Sequence, residues 1–130
     1  MDAVHRYLAG VRDRDWDLLD SACAPDIERR SPFSCEPAIT GREAYVAFNA
    51  NSIGAIASYR FEIRQLDYSA DRRRAFVRGH EWVQYTPESP TLDWDMALWI
   101  DLGEADLIER IDVYIKLAEV FERPGRSRVG

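Results

Sequence analysis

The sequence predicts an α+β domain in which three helices come first and four long strands follow. Three observations carry that prediction. Apolar residues recur at helical spacing through the first third of the chain. From Tyr59 onward the period changes to two. The period-two segments are joined by "ADR", "PESP" and "GEAD", which are short and turn-like, so neighbouring strands pair antiparallel. Helices grouped ahead of strands pack on one face of the sheet. A cone-shaped cavity between the two layers is then expected, of the kind that holds a small molecule.

The elements follow in order. Val4, Tyr7, Leu8 and Val11 form the apolar stripe of a first helix. Asp15 is the expected N-cap of a second, with Trp16, Leu18, Leu19 and Ala22 behind it and Pro25 ending it. "DIERRSPFSCEPAITG" reads as a short strand and then a loop with two prolines. Thr40 is the expected N-cap of a third helix, with Glu43 as its capping-box partner. That helix runs through "REAYVAFNANSIGAIA" and buries Tyr45, Phe48 and Ile53 or their neighbours. The strands are "YRFEIRQLDYS", "RRAFVRGHEWVQYT", "TLDWDMALWIDL" and "LIERIDVYIKLAEV".

The 130 residues fit one domain, expected over 1–120, with the Pro- and Gly-containing segment 121–130 as a flexible tail. A net charge of −6 provides no basic footprint, so neither nucleic acid nor anionic membrane is an expected partner. No run approaches the roughly 18 apolar residues of a membrane span, and "MDAVHRYLAG" has no secretory h-region, so a cytoplasmic location is the default expectation. Cys23 lies on an apolar helical stretch and reads as a core thiol, while Cys35 lies in a loop and reads as exposed. Metal-ligand spacing and C-x-x-C are both absent, and neither a metal nor a cofactor is expected.

The segment "RAFVRGHEWVQYT" poses the functional question. Alternation puts Ala75, Val77, Gly79, Glu81, Val83 and Tyr85 on one face, and Phe76, Arg78, His80, Trp82 and Gln84 on the other. Either row can face the cavity. A pocket histidine exchanges protons near neutral pH, whereas an outward one meets solvent or a second subunit. Arg78 either holds an anionic group or opposes an acid on the next strand. Asp95, in "LDWDMAL", is either a buried acid beside His80 or a solvent-facing residue of an alternating strand. Trp82, Trp99 and Phe33 serve packing and, in a cavity, ligand contact as well. His5 reads as a surface residue, "DRRR" as a solvated turn, and Glu28 and Glu81 as acids that sequence position does not single out.

The order and spacing of "VHRYLAGVRDRDWDLLDSACAPDI", "SPFSCEPAITGREAYVAFNANSI" and "LIERIDVYI" resemble the nuclear transport factor 2-like superfamily. Within it the likeness is to ketosteroid isomerase-like and SnoaL-like proteins, and it covers about residues 3 to 118. The resemblance implies a cystatin-like α+β barrel: a curved, mostly antiparallel sheet with three N-terminal helices enclosing a pocket. It implies Tyr7 and Asp95 as oxyanion donors, and puts Ser31 where the isomerases carry an aspartate base. A hydroxyl cannot abstract a carbon-bound proton unaided. The limonene epoxide hydrolases carry Arg-x-Asp along the "RGH" strand, and scytalone dehydratases place a pocket histidine there, which implies that His80 is catalytic, with Arg78, Phe76 and Trp82 against the substrate. The hydrolases' second aspartate falls on Val113, and the same parity puts Ile111, Val113 and Ile115 in the pocket.

The expected function is cofactor-free acid–base chemistry of isomerase, cyclase, dehydratase or epoxide-hydrolase type. The expected substrate is an apolar polyketide-, terpenoid- or steroid-like molecule. The catalytic set is His80, Asp95 and Tyr7, and Arg78, Trp82, Phe76, Ser31, Phe33, Trp99, Ile111 and Val113 contact the substrate. The alternative is a non-catalytic ligand-binding or dimerisation module. The resemblance also implies a homodimer paired through the sheet, with Val83, Tyr85 and Tyr114 as candidate contacts.

Overall fold

A computed structural model describes residues 1–32 and 35–115. Phe33, the end of the last expected strand and the expected tail at 121–130 lie outside the described residues.

Helix α1 spans Ala3–Asp13 and buries the expected stripe of Val4, Tyr7, Leu8 and Val11. Asp2 caps it by accepting from the His5 amide. Asp15 caps α2, Trp16–Ala22, accepting from the Leu18 amide at 3.1 Å. The two helices cross at Gly10, where an added Cβ would stand 2.7 Å from the Leu19 nitrogen. The chain then enters strand β1, Cys23–Arg30, directly. Cys23 therefore opens a strand instead of lying on a helix. It is buried as expected, its thiol donates to the Leu19 carbonyl, and burial pushes its pKa up to about 12. Cys35 is exposed.

Strand β2 is Ile39–Thr40, paired antiparallel with β1. Thr40 sits opposite Glu28 in that ladder, so it cannot act as the expected helix cap. Gly41 takes the N-cap position of α3, Arg42–Ser52, at φ 99°, a conformation that favours a residue without Cβ. No side chain caps that helix. It ends earlier than expected, at Ser52, and a 3₁₀ turn at Ile53–Ala55 follows. Tyr45 and Asn49 are buried along it, with Phe48 and Ile53 half-buried.

The four strands are β3 Ser58–Tyr68, β4 Arg74–Gln84, β5 Leu92–Leu102 and β6 Ile108–Ile115. Each pairs antiparallel with its sequence neighbour, and β6 pairs parallel with β1. The order is β2-β1-β6-β5-β4-β3, one six-stranded, mostly antiparallel sheet. Irregularities in β1, β3 and β5 shift the register and bend the strands. One face of the sheet carries the core with the helices: Ile27, Val77, Leu98, Ile100, Ile108 and Ile111 are nearly inaccessible. The other face has no second layer over it among the described residues. No described helix is long and apolar enough to cross a membrane.

Candidate active site

The burial pattern of β4 settles which row faces inward. Ala75, Val77, Gly79, Glu81 and Val83 are buried, whereas Phe76 and Arg78 are exposed and His80 and Trp82 half-buried. Gly79 sits so close to β3 that an added Cβ would lie 2.6 Å from the Phe61 ring. That close approach brings Phe61 over the inner face beside Glu81.

Between helices and sheet lies a cavity of about 200 Å³. For scale, a dry cavity of roughly 150 Å³ admits benzene, so this one accommodates a one- or two-ring molecule. Leu8, Val11, Met96, Leu98 and Val113 provide apolar wall. The exposed Tyr85 and Ser52 mark its mouth.

The polar groups in it are few and aimed. Glu81 is 9% exposed. Its Oε2 accepts from the Tyr59 hydroxyl at 2.5 Å and its Oε1 from Trp94 Nε1 at 2.8 Å. Each carboxylate oxygen keeps a lone pair for a further partner. Burial, and then the Glu81 charge beside it, push the Tyr59 phenol far above its ordinary pKa, so it remains a proton donor. The Tyr7 and Tyr45 hydroxyls share a hydrogen bond of 3.2 Å. Two hydroxyls carry two protons and that bond uses one, so the pair, whose residues both line the cavity, keeps a second O–H. Burial raises both phenols, Tyr45 to about 12 and Tyr7 well above its ordinary value. Arg29 reaches the cavity from β1, its guanidinium 4.9 Å from the centre of the Phe48 ring. Among the described residues no group of three His, Cys, Asp or Glu side chains is placed to hold a metal ion.

Of the residues expected in the pocket, Tyr7, Val113 and Ile115 line this cavity. Ile111 is inaccessible and packs in the core instead. Ser31 is half-buried beyond the end of β1 and does not line the cavity. Phe33 lies outside the described residues.

The expectation of an inward His80 is corrected. His80, Asp95, Arg78, Trp82, Phe76 and Trp99 all lie on the outer face, because strand parity sends the β-branched row and Gly79 to the helices. His80 does pair with Asp95, Nδ1 to Oδ1 at 2.7 Å, and its Nε2 meets Asp93 Oδ1 at 2.7 Å. Both contacts are hydrogen bonds only if both ring nitrogens carry hydrogen, and they hold the imidazole above its ordinary pKa, Asp95 more than Asp93. A doubly donating ring has no lone pair with which to accept a proton. The ring is 16% accessible because Trp82, 4.6 Å away, and the two aspartates flank it, not because it is interior. Arg60 stacks over Trp82 at 4.0 Å, and Phe76 meets Trp99 edge-on at 4.7 Å. Aromatic pairing and cation–π contact thus stabilise this row without burial. Two of the expected dimer contacts move the other way: Val83 and Tyr85 line the cavity.

Glu81, Tyr59, Trp94, Tyr45 and Arg29 were not singled out by the sequence reading. The available signal was a lone carboxylate in an otherwise apolar row of β4, with Trp94 in the matching row of β5 directly across the ladder.

Comparison with known proteins agrees with this architecture. A family model described as a SnoaL-like domain matches residues 4–111. No curated protein matches the sequence. A protein with a ketosteroid isomerase-like fold from Catenulispora acidiphila, in complex with trimethylamine, is similar in structure at TM-score 0.77 and 15% identity, covering 95% of this chain and 92% of that one. An LEH-like epoxide hydrolase from Mycobacterium tuberculosis is similar at TM-score 0.74 and 14% identity, over 92% and 84% of the two chains. SalBIII, an epoxide hydrolase/cyclase-like enzyme in pyran ring formation in the polyether salinomycin, is similar at TM-score 0.74 and 15% identity, over 88% of each. At these identities the structural likeness speaks to the fold. With most of its length matched by the family model, the chain belongs to the SnoaL-like domain family, within the nuclear transport factor 2-like superfamily.

Proposed function

We propose that the protein is a cofactor-free acid–base enzyme acting on a small, largely apolar molecule, with Glu81 as the proton-transfer residue. The observation that carries this reading is a buried carboxylate, held by Tyr59 and Trp94, inside an apolar cavity that also holds the Tyr7–Tyr45 hydroxyl pair. The SnoaL-like family and its isomerase-like and epoxide hydrolase/cyclase-like neighbours support the same class of chemistry.

In this mechanism Glu81 takes a proton from a carbon next to a substrate carbonyl. Tyr59 and Trp94 fix the carboxylate, so little reorganisation accompanies the transfer. Negative charge develops on the carbonyl oxygen and receives the free O–H of the tyrosine pair. The protonated Glu81 then returns the proton at another atom, giving an isomer or a cyclised product with no net change in protons. General base catalysis contributes about 10²- to 10⁴-fold, and one oxyanion donor about 10²- to 10³-fold.

The test is exchange of carbon-bound hydrogen for deuterium in small cyclic ketones, followed by NMR. Glu81→Gln is the informative variant, because its amide still accepts from Trp94 and donates to the Tyr59 oxygen, so the fold persists. Exchange should fall by about 10²-fold or more, with the thermal melt little changed. A Glu81→Gln protein that exchanges at the wild-type rate ends this reading. Ligand binding without exchange in the wild type would favour the non-catalytic alternative.

A further inference from the structure

Arg29 is an anomaly in an apolar cavity. Its side chain is only 13% accessible, and it lines the cavity beside Phe48, whose ring it covers. Charged side chains are rarely buried this far without a close counter-ion. The carboxylate it pairs with among the described residues, Glu36, stands 4.0 Å away on a side chain 70% exposed. Arginines on the surface do better: Arg74 meets Asp101 at 3.0 Å, and Arg110 meets Asp112 at 3.2 Å. The more buried guanidinium has the weaker partner, and it lines the cavity.

We propose that the substrate is a carboxylic acid, and that Arg29 receives its carboxylate at the end of the cavity away from Glu81. This rests on the reading of the cavity as a catalytic site. Strands β1 and β4 are separated by β6 and β5. The register carries Arg29 across Ile111 and Ile100 to Ala75, six residues along β4 from Glu81, so the two residues are displaced along the strands as well as across them. A carboxylate on Arg29 therefore lies at a distance from the Glu81 charge instead of against it. The substrate class that matches is a one- or two-ring acid with its carboxylate at one end and a carbonyl-activated C–H at the other. Arg29 also exerts a positive potential on the Tyr45 phenol, opposing the effect of burial there. An enolate forming near the tyrosine pair would feel the same potential. The fork of the guanidinium suits two-point pairing with a carboxylate, which a lysine ammonium cannot reproduce.

The test is calorimetric binding of two probes of nearly equal shape, 2-naphthoate and 2-naphthamide. Wild-type protein should prefer the anion by about tenfold or more, as a charge-assisted pair does over a neutral one. Arg29→Met should erase the preference. Arg29→Lys should keep part of it, and Glu81→Gln should keep all of it while losing exchange activity. Equal binding of the two probes by the wild type overturns the proposal, as does failure of both to bind. A preference that survives Arg29→Met overturns it too. Should Arg29→Met fail to fold, the wild-type preference and the Arg29→Lys result still decide. An anion preference together with an active Glu81→Gln protein would sink the catalytic reading while leaving the carboxylate site in place. The reverse pattern would sink the carboxylate site alone.

Discussion

Tyr59 donates its phenol proton to Glu81 across 2.5 Å, and no other donor from the described residues meets that carboxylate oxygen. Tyr59→Phe leaves Oε2 buried with one partner fewer. The expected cost is about 1–3 kcal/mol of stability, read from urea unfolding, together with a loss of exchange rate. An unchanged unfolding midpoint would mean that the hydrogen bond is not made in solution. On the outer face the prediction concerns protonation. Asp95, and then Asp93, hold the His80 imidazolium, so its folded-state pKa is raised. The stability this clamp contributes is fully present below about pH 6.5, the ordinary histidine value, and is lost as pH rises through the raised one. On the acid side, His80 holds Asp95 below its ordinary value, so that contribution fades as pH falls through the lowered value. An NMR titration of the His80 ring should show the elevated pKa, and Asp93→Asn with Asp95→Asn should return it toward normal. A normal titration in the wild type would contradict the clamp.

At the scale of elements, the pairing of β3 with β4 depends on Gly79. An alanine Cβ there would meet the Phe61 ring at 2.6 Å and the Glu62 carbonyl oxygen at 2.8 Å. The ring can turn into the cavity, but the backbone oxygen cannot yield without shifting the ladder. Gly79→Ala should cost about 1–3 kcal/mol, the usual range for overpacking, and narrow the cavity. A thermal melt and probe binding check both effects, and a variant that melts and binds like wild type would place β3 elsewhere. The helical stripe of α1, the Asp15 cap and the four long strands were all legible in the sequence, because each rests on a period or a cap that local residues dictate. The cap of α3 was not, because Thr40 is claimed by a strand pairing with Glu28 that only the assembled sheet reveals. The facing of β4 was misjudged for a related reason. Both of its rows carry large or polar side chains, and resemblance to proteins with a pocket histidine drew attention to His80. Val77 and Val83, packing partners for helices, were the better guide, and they carry Glu81 inward with them.

For the whole molecule, the outer face of the sheet presents aromatic side chains that no described helix covers. Phe76 and Trp99 are 36% and 41% exposed there. Arg60, Arg64 and Arg78 lie on that face or its edge with Glu62, Asp93 and Asp95, so both signs of charge are present. A twofold contact places one surface against its own copy and needs self-complementarity of this kind. We propose that two chains pair through this face, and sedimentation should give twice the 15.0 kDa chain mass. Trp99→Glu should shift the protein to monomer while leaving probe binding in the cavity intact, and a monomeric wild type would refute the pairing. Since chemistry and pairing are assigned to opposite faces of one sheet, the most direct test of the account compares Glu81→Gln with His80→Ala in the deuterium-exchange assay. The account predicts that Glu81→Gln loses exchange and His80→Ala retains it. An inactive His80→Ala beside an active Glu81→Gln, both folded, would contradict it.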